Sequence, residues 1–191
     1  MDYISATFIV KLTDHPTSAP DEVWILSLDG FQMPSEDVIK ELLSLTHLPG
    51  GDYPVMSHIG SRQGITNWGA SSSFVEFILE MSSSGLGGVG TVAVAAAIKS
   101  RYAKFRDRSR GDHWGDMISE ETALELARMR IAAQYDVDRE SLRLSRSETD
   151  AASQRFEFTF NHPDGRSFGA EIGILRRAPT CTRIWRQVAT G

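Results

Sequence analysis

The sequence contains a single cysteine, Cys181, among its 191 residues. One cysteine excludes an internal disulfide and the paired-cysteine motifs that bind zinc or carry out redox chemistry. The first residues contain neither a basic segment nor a long apolar one, so no secretory signal is expected. These absences predict a cytoplasmic protein. Because 41% of its residues are hydrophobic, packing alone can stabilise one sizeable core or two small ones.

An overall excess of positive charge is also missing. The formal net charge is −5 at pH 7, which argues against a nucleic-acid partner. Basic residues are nevertheless concentrated in one place, since residues 99–110 hold six cations and one acid. We interpret Lys99, Arg101, Lys104 and Arg106 as a basic patch. It is either the solvated end of a helix, where cations complement the helix dipole, or a surface for anionic lipid or phosphate.

Catalytic and metal-ligand spacings are lacking as well. Residues 85–90 match G-x-G-x-x-G, but the pattern around them is not the strand-turn-helix that a dinucleotide site needs. Among the five histidines, only His113 has a carboxylate close to it on both sides in sequence, at Asp112 and Asp116. The sequence therefore predicts no catalytic residue, no metal and no cofactor. A small enzyme whose site is assembled only by the fold is left open.

The N-terminal third predicts two strands and a helix. β-Branched and aromatic residues fill positions 3–12, and an apolar run of strand length occupies 23–28. Apolar residues then recur at helical spacing after Ser35, and Pro49 with the two following glycines predicts the end of that helix. This order is a ββα unit.

Residues 73–107 predict a helical hairpin. Ser73 and Glu76 have the spacing of a capping box, and apolar residues follow at i, i+3, i+4 and i+7. An alanine-rich helix follows the glycine cluster, and small residues allow close approach of a partner. The predicted interaction surface consists of Phe74, Phe77, Gly85, Gly88 and Ala95. Residues 81–98 carry no charge, so the alternatives are a buried helix, a conditionally membrane-inserted helix and an obligate transmembrane helix.

The C-terminal part predicts a second domain. A polar stretch at 108–115 predicts the boundary, which divides the chain into domains 1–110 and 116–191. A helix begins after Ser119, and runs of alternating polarity follow it with a hairpin turn near Pro163. The predicted fold class is α+β: an N-terminal ββα unit with a helical hairpin, then a helix packed on a three- or four-stranded antiparallel meander.

One segment resembles a known group of proteins. Asn67-Trp68-Gly69-Ala70-Ser71, followed by the predicted hairpin to Lys99, resembles small effector-associated modules from conflict systems of high-GC actinobacteria, and the resemblance covers 67–107. It implies a noncatalytic module that couples to an effector or to another copy of itself. We therefore predict a noncatalytic interaction or adaptor module with a protein partner or self-association. The alternatives are a membrane-perturbing effector that exposes residues 85–98, and the small enzyme mentioned above.

Overall fold

The computed structural model describes residues 3–13, 19–47, 56–66, 72–82, 92–109, 118–150, 155–175 and 178–187. These residues form eight strands, three α-helices and two short 3₁₀ helices. The strands are β1 (Tyr3–Thr13), β2 (Glu22–Phe31), β3 (Met56–Thr66), β4 (Ser72–Ser82), β5 (Arg143–Asp150), β6 (Arg155–Asn161), β7 (Ser167–Leu175) and β8 (Ala178–Gln187). The α-helices are α1 (Ser35–Leu43), α2 (Val92–Arg106) and α3 (Glu120–Tyr135), and the 3₁₀ helices are Ser44–Thr46 and Arg139–Ser141.

All eight strands belong to one mixed sheet with the order β3-β4-β1-β2-β8-β7-β6-β5. β1 and β4 are parallel, and every other neighbouring pair is antiparallel. The N-terminal and C-terminal strands meet where β2 pairs with β8. That joint consists of three opposed residue pairs: Glu22 with Trp185, Val23 with Ile184, and Trp24 with Arg183.

The helices pack on opposite faces of the sheet. α1 and α2 cover the N-terminal strands on the face that carries Phe8 and Phe77. α3 covers the C-terminal strands on the other face, against Phe158 and Phe168. β2 contributes to both cores, because successive side chains of a strand point to opposite faces: Val23 belongs to the α3 core and Trp24 to the α1/α2 core. The C-terminal strands therefore have a second face, turned away from α3, which we call the open face.

The predicted helix at residues 73–81 is wrong, because this segment is β4. Its odd-numbered residues point into the α1/α2 core, whereas Phe74 and Ile78 lie half-buried on the other face. Aromatic and β-branched residues in this segment fit the spacing of a helix and the alternation of a strand equally well. Pairing along its length with both β1 and β3 decides the outcome.

The predicted fold class is also wrong. The N-terminal part is not a ββα unit with a helical hairpin, because β3 and β4 extend the sheet that β1 and β2 begin. The four C-terminal strands are not a separate meander either, since β8 pairs with β2. The physical reason is that strand pairing depends on contacts far apart in sequence, which local patterns do not contain. The predicted domain boundary falls largely on residues 110–117, outside those described, and stays a prediction.

Candidate functional site

The structure separates the residues predicted to form the interaction surface. Phe77 is fully buried in the α1/α2 core, and Phe74 lies on the opposite face of the same strand. Ala95 lies on α2 and packs against the α1/α2 core. Gly85 and Gly88 are outside the described residues. Phe74, Phe77 and Ala95 do not share one helical face, and their role in an interaction stays a prediction.

The predicted basic patch lies on α2 and divides into two pairs. Arg101 and Lys104 form salt bridges with Glu41 of α1, with the Arg101 Nε 3.3 Å from the Glu41 Oε2. Lys99 and Arg106 are seven residues apart, which places them on one side of the helix. They line a groove between α2 and the open face of β5, β6 and β7. Half of the patch therefore holds α1 and α2 together, and the other half lines a cavity.

This groove has a volume of about 430 Å³ and walls of opposite charge. Lys99 and Arg106 form the cationic wall on α2. The strands opposite contribute four carboxylates, one arginine and one aromatic ring: Glu148, Asp150, Arg155, Phe156, Glu157 and Glu171. The volume lies within the range of small-molecule binding pockets.

The acidic wall is built by strand register. Glu148 is directly opposite Glu157, and Glu157 is directly opposite Glu171. Like charges at directly opposed positions on neighbouring strands destabilise a sheet. Arg155 offsets part of this repulsion, because its Nη1 donates to the Glu171 Oε1 at 2.9 Å. The Thr182 hydroxyl donates to the same oxygen at 2.8 Å.

Two residues on the walls lack a charged partner among the described residues. The half-buried side chain of Glu157 makes neither a hydrogen bond nor an ion pair there. The exposed Lys99 is held only by the ring of Trp24, whose centroid is 5.9 Å from the Lys99 Nζ. One cation and one carboxylate on facing walls are thus available to a ligand.

Beside the groove, a buried stack fixes the joint between the two halves of the sheet. The Arg183 Nε donates to the Glu22 Oε1 at 2.6 Å, and both side chains are buried. The Arg183 guanidinium lies 4.6 Å from the ring centroid of Trp24 and 4.5 Å from that of Trp185. Trp185 in turn lies against Gly169, where a Cβ would be 2.0 Å from the indole Cζ2. The stack connects β2, β7 and β8 and so fixes the two walls relative to each other.

These groups are suited to recognition. The described groove lining consists of charged side chains and one phenylalanine, and carboxylates are the only side chains in it of a type that acts as a nucleophile in enzymes. The described residues also contain no cluster of three or more metal-ligating side chains. The arrangement can hold a ligand that carries both charges.

Sequence reasoning identified Lys99 and Arg106 but missed the strand residues of this site. The signal for them is the alternation in β6 and β7, where Arg155, Glu157 and Glu171 occupy positions next to buried apolar residues. That signal marks Arg155, Glu157 and Glu171 as residues of one face. It does not show that Glu148, Glu157 and Glu171 form one row, because the row depends on register.

Cys181 is buried in β8. Burial raises the pKa of its thiol to about 12, and the thiol donates to the Arg183 carbonyl oxygen at 3.2 Å. Only the thiolate reacts with alkylating agents, so we expect native protein to resist iodoacetamide at pH 8. Mass spectrometry should show rapid labelling only after unfolding in urea. Equal labelling rates for native and unfolded protein would contradict this burial.

The chain matches no protein-family model, no curated protein and no solved structure. The resemblance of residues 67–107 to effector-associated modules therefore stays a prediction. Within the described residues, no helix has both the length and the apolar character to cross a membrane.

Proposed function

We propose that this protein is a noncatalytic interaction module that binds a segment of a partner protein in the groove between α2 and β5–β7. The observation that carries the proposal is the opposition of a cationic wall, Lys99 with Arg106, and an acidic wall centred on Glu157. Complementary charges give an interface its specificity and its register. The segment that fits this groove carries an acidic and a basic residue close together.

The geometry of the surrounding fold supports binding at this place. α2 packs on the N-terminal strands, and the acidic wall belongs to the C-terminal strands. The buried stack of Arg183 between two tryptophans holds these two parts together, so the walls are positioned before a ligand arrives. Such preorganisation reduces the entropy lost on binding. We propose that the partner protein is an effector of the kind that the sequence resemblance implies.

Charge reversal on each wall tests the proposal. Immobilised wild-type protein is expected to enrich, from a displayed library of random peptides, sequences that contain both an acidic and a basic residue. Lys99→Glu should remove the preference for the acidic residue, and Glu157→Lys should remove the preference for the basic one. Synthetic versions of the enriched peptides should bind each variant about tenfold more weakly than wild type, because one charged contact becomes repulsive.

Two matched variants serve as controls. Lys40→Glu on α1 and Glu121→Lys on α3 make the same charge changes at exposed positions outside the groove. Both should select the same peptides as wild type. The proposal fails if wild type enriches no charged pattern, or if the groove variants and the controls alter the selected sequences equally.

A further inference from the structure

β5 forms one edge of the sheet. All eight of its residues are exposed, and β6 is the only described strand that pairs with it. The outer side of an edge strand presents backbone N–H and C=O groups that can pair with another strand. The side chains of β5 determine which strand can pair there.

The charges of β5 are arranged in two halves. Arg143 and Arg146 lie in the first half, and Glu148 and Asp150 lie in the second. A register shift between Leu144 and Arg146 makes Ser145 an extra residue, so the two arginines face the same way despite their odd spacing. All four charged side chains then lie on the open face, opposite Asn161, Thr159, Glu157 and Arg155 of β6, respectively.

We propose that two copies of the chain associate by antiparallel pairing of β5 with the partner's β5, about a twofold axis at Ser147. In this register Arg146 lies opposite the partner's Glu148. With Ser145 as the extra residue in each strand, Arg143 lies opposite the partner's Asp150. Arg146 and Glu148 already form an exposed ion pair within one chain, and the symmetric register adds the partner's opposite charge beside each of them. Symmetry repeats both pairs, so every charge of the strand meets an opposite one across the axis. Leu144 meets the partner's Thr149 on the α3 side of the sheet.

Two observations favour association through the β5 edge over association through the β3 edge. β3 (Met56–Thr66) contains no acidic residue, so its pairing with a second β3 would create no opposite-charge pair. Leu144 is 41% exposed and is one of two large hydrophobic residues exposed in the described chain. Pairing at β5 covers it. Dimerisation does not depend on the proposed peptide binding, and its test uses no peptide.

The dimer is expected to be weak and sensitive to salt. Exposed ion pairs contribute little individually and are screened as ionic strength rises. Sedimentation velocity over a concentration series should therefore show a monomer–dimer equilibrium that shifts to monomer at high salt. A wild-type chain that stays monomeric at the highest concentration in low salt overturns the proposal.

Charge substitution in β5 tests the register. The acidic variant Arg143→Glu/Arg146→Glu and the basic variant Glu148→Arg/Asp150→Arg each place like charges opposite each other, so each should self-associate at least about tenfold more weakly than wild type. An equimolar mixture should form a heterodimer. A chain with all four substitutions restores complementarity and should dimerise like wild type. Because every substituted residue is exposed, circular dichroism should show an unchanged fold.

A control separates register from general charge attraction. Glu36→Arg/Glu121→Arg makes the same charge change at exposed residues outside β5. Mixed with the acidic variant, it should form heterodimers no better than wild type does. The proposal is wrong if this control pairs as well as the basic β5 variant, if the two β5 variants self-associate as tightly as wild type, or if the four-substitution chain stays monomeric.

Discussion

Alanine at position 169 is expected to lower the free energy of unfolding by about 3 kcal/mol or more, because it inserts a methyl group into a filled space. A Cβ on this residue would be 2.0 Å from the Cζ2 and 2.2 Å from the Cε2 of Trp185. The indole cannot move away easily. It is itself buried and is stacked on its other neighbour, the Arg183 guanidinium.

Urea denaturation of Gly169→Ala provides the measurement, and Gly60→Ala provides the control. Gly60 is also a strand glycine, but a Cβ there would meet only the His58 Cε1 at 3.8 Å. We therefore expect a much smaller change in that variant. Adding Trp185→Leu to Gly169→Ala should recover part of the lost stability, because the ring that clashes is removed. Equal stability of the two alanine variants would contradict the packing described here.

How much of this fold the sequence predicts depends on how far apart in sequence the contacting residues are. β1, β2, α1 and α3 occur where local patterns predict them, because strand alternation and helix spacing are visible within a short window. α3 shows this most clearly, since the Ser119 hydroxyl accepts a hydrogen bond from the Thr122 N–H as an N-cap. The apolar residues of β4 fit both periods, so the local pattern does not distinguish a helix from a strand there.

The candidate site was predictable only in part for the same reason. The cations of residues 99–110 are visible in sequence, but their division is not. Arg101 and Lys104 bind Glu41 because α1 lies beside α2, and no local pattern contains that neighbour. The joint of β2 with β8 is more distant still, since Glu22 and Arg183 are separated by 161 positions. Such contacts are determined by the topology of the whole sheet.

The largest single-residue effect is expected at this joint. Replacing Glu22 with leucine leaves the buried Arg183 charge without its carboxylate, and replacing Arg183 with methionine removes the cation from beside Glu22 and from between the two tryptophans. Removing one partner of a buried ion pair costs about 3–5 kcal/mol, whereas replacing both with apolar residues of similar volume is far less harmful. The double variant Glu22→Leu/Arg183→Met should therefore be more stable than either single variant.

Chemical denaturation of the four proteins forms a double-mutant cycle, which measures the coupling between the two side chains. Arg186→Met is the matched control, because the Arg186 Nε also pairs with a carboxylate, that of Asp21 directly before β2, at 2.7 Å. The Arg186 side chain is 23% exposed, whereas that of Arg183 is 9% exposed. We expect the control to lose less stability, since a partly exposed pair is compensated by water. Additive effects of the Glu22 and Arg183 substitutions would show that the pair does not hold the joint. A strong coupling would mean that this buried pair helps to hold the N-terminal strands, on which α2 packs, against the C-terminal strands that carry the acidic wall.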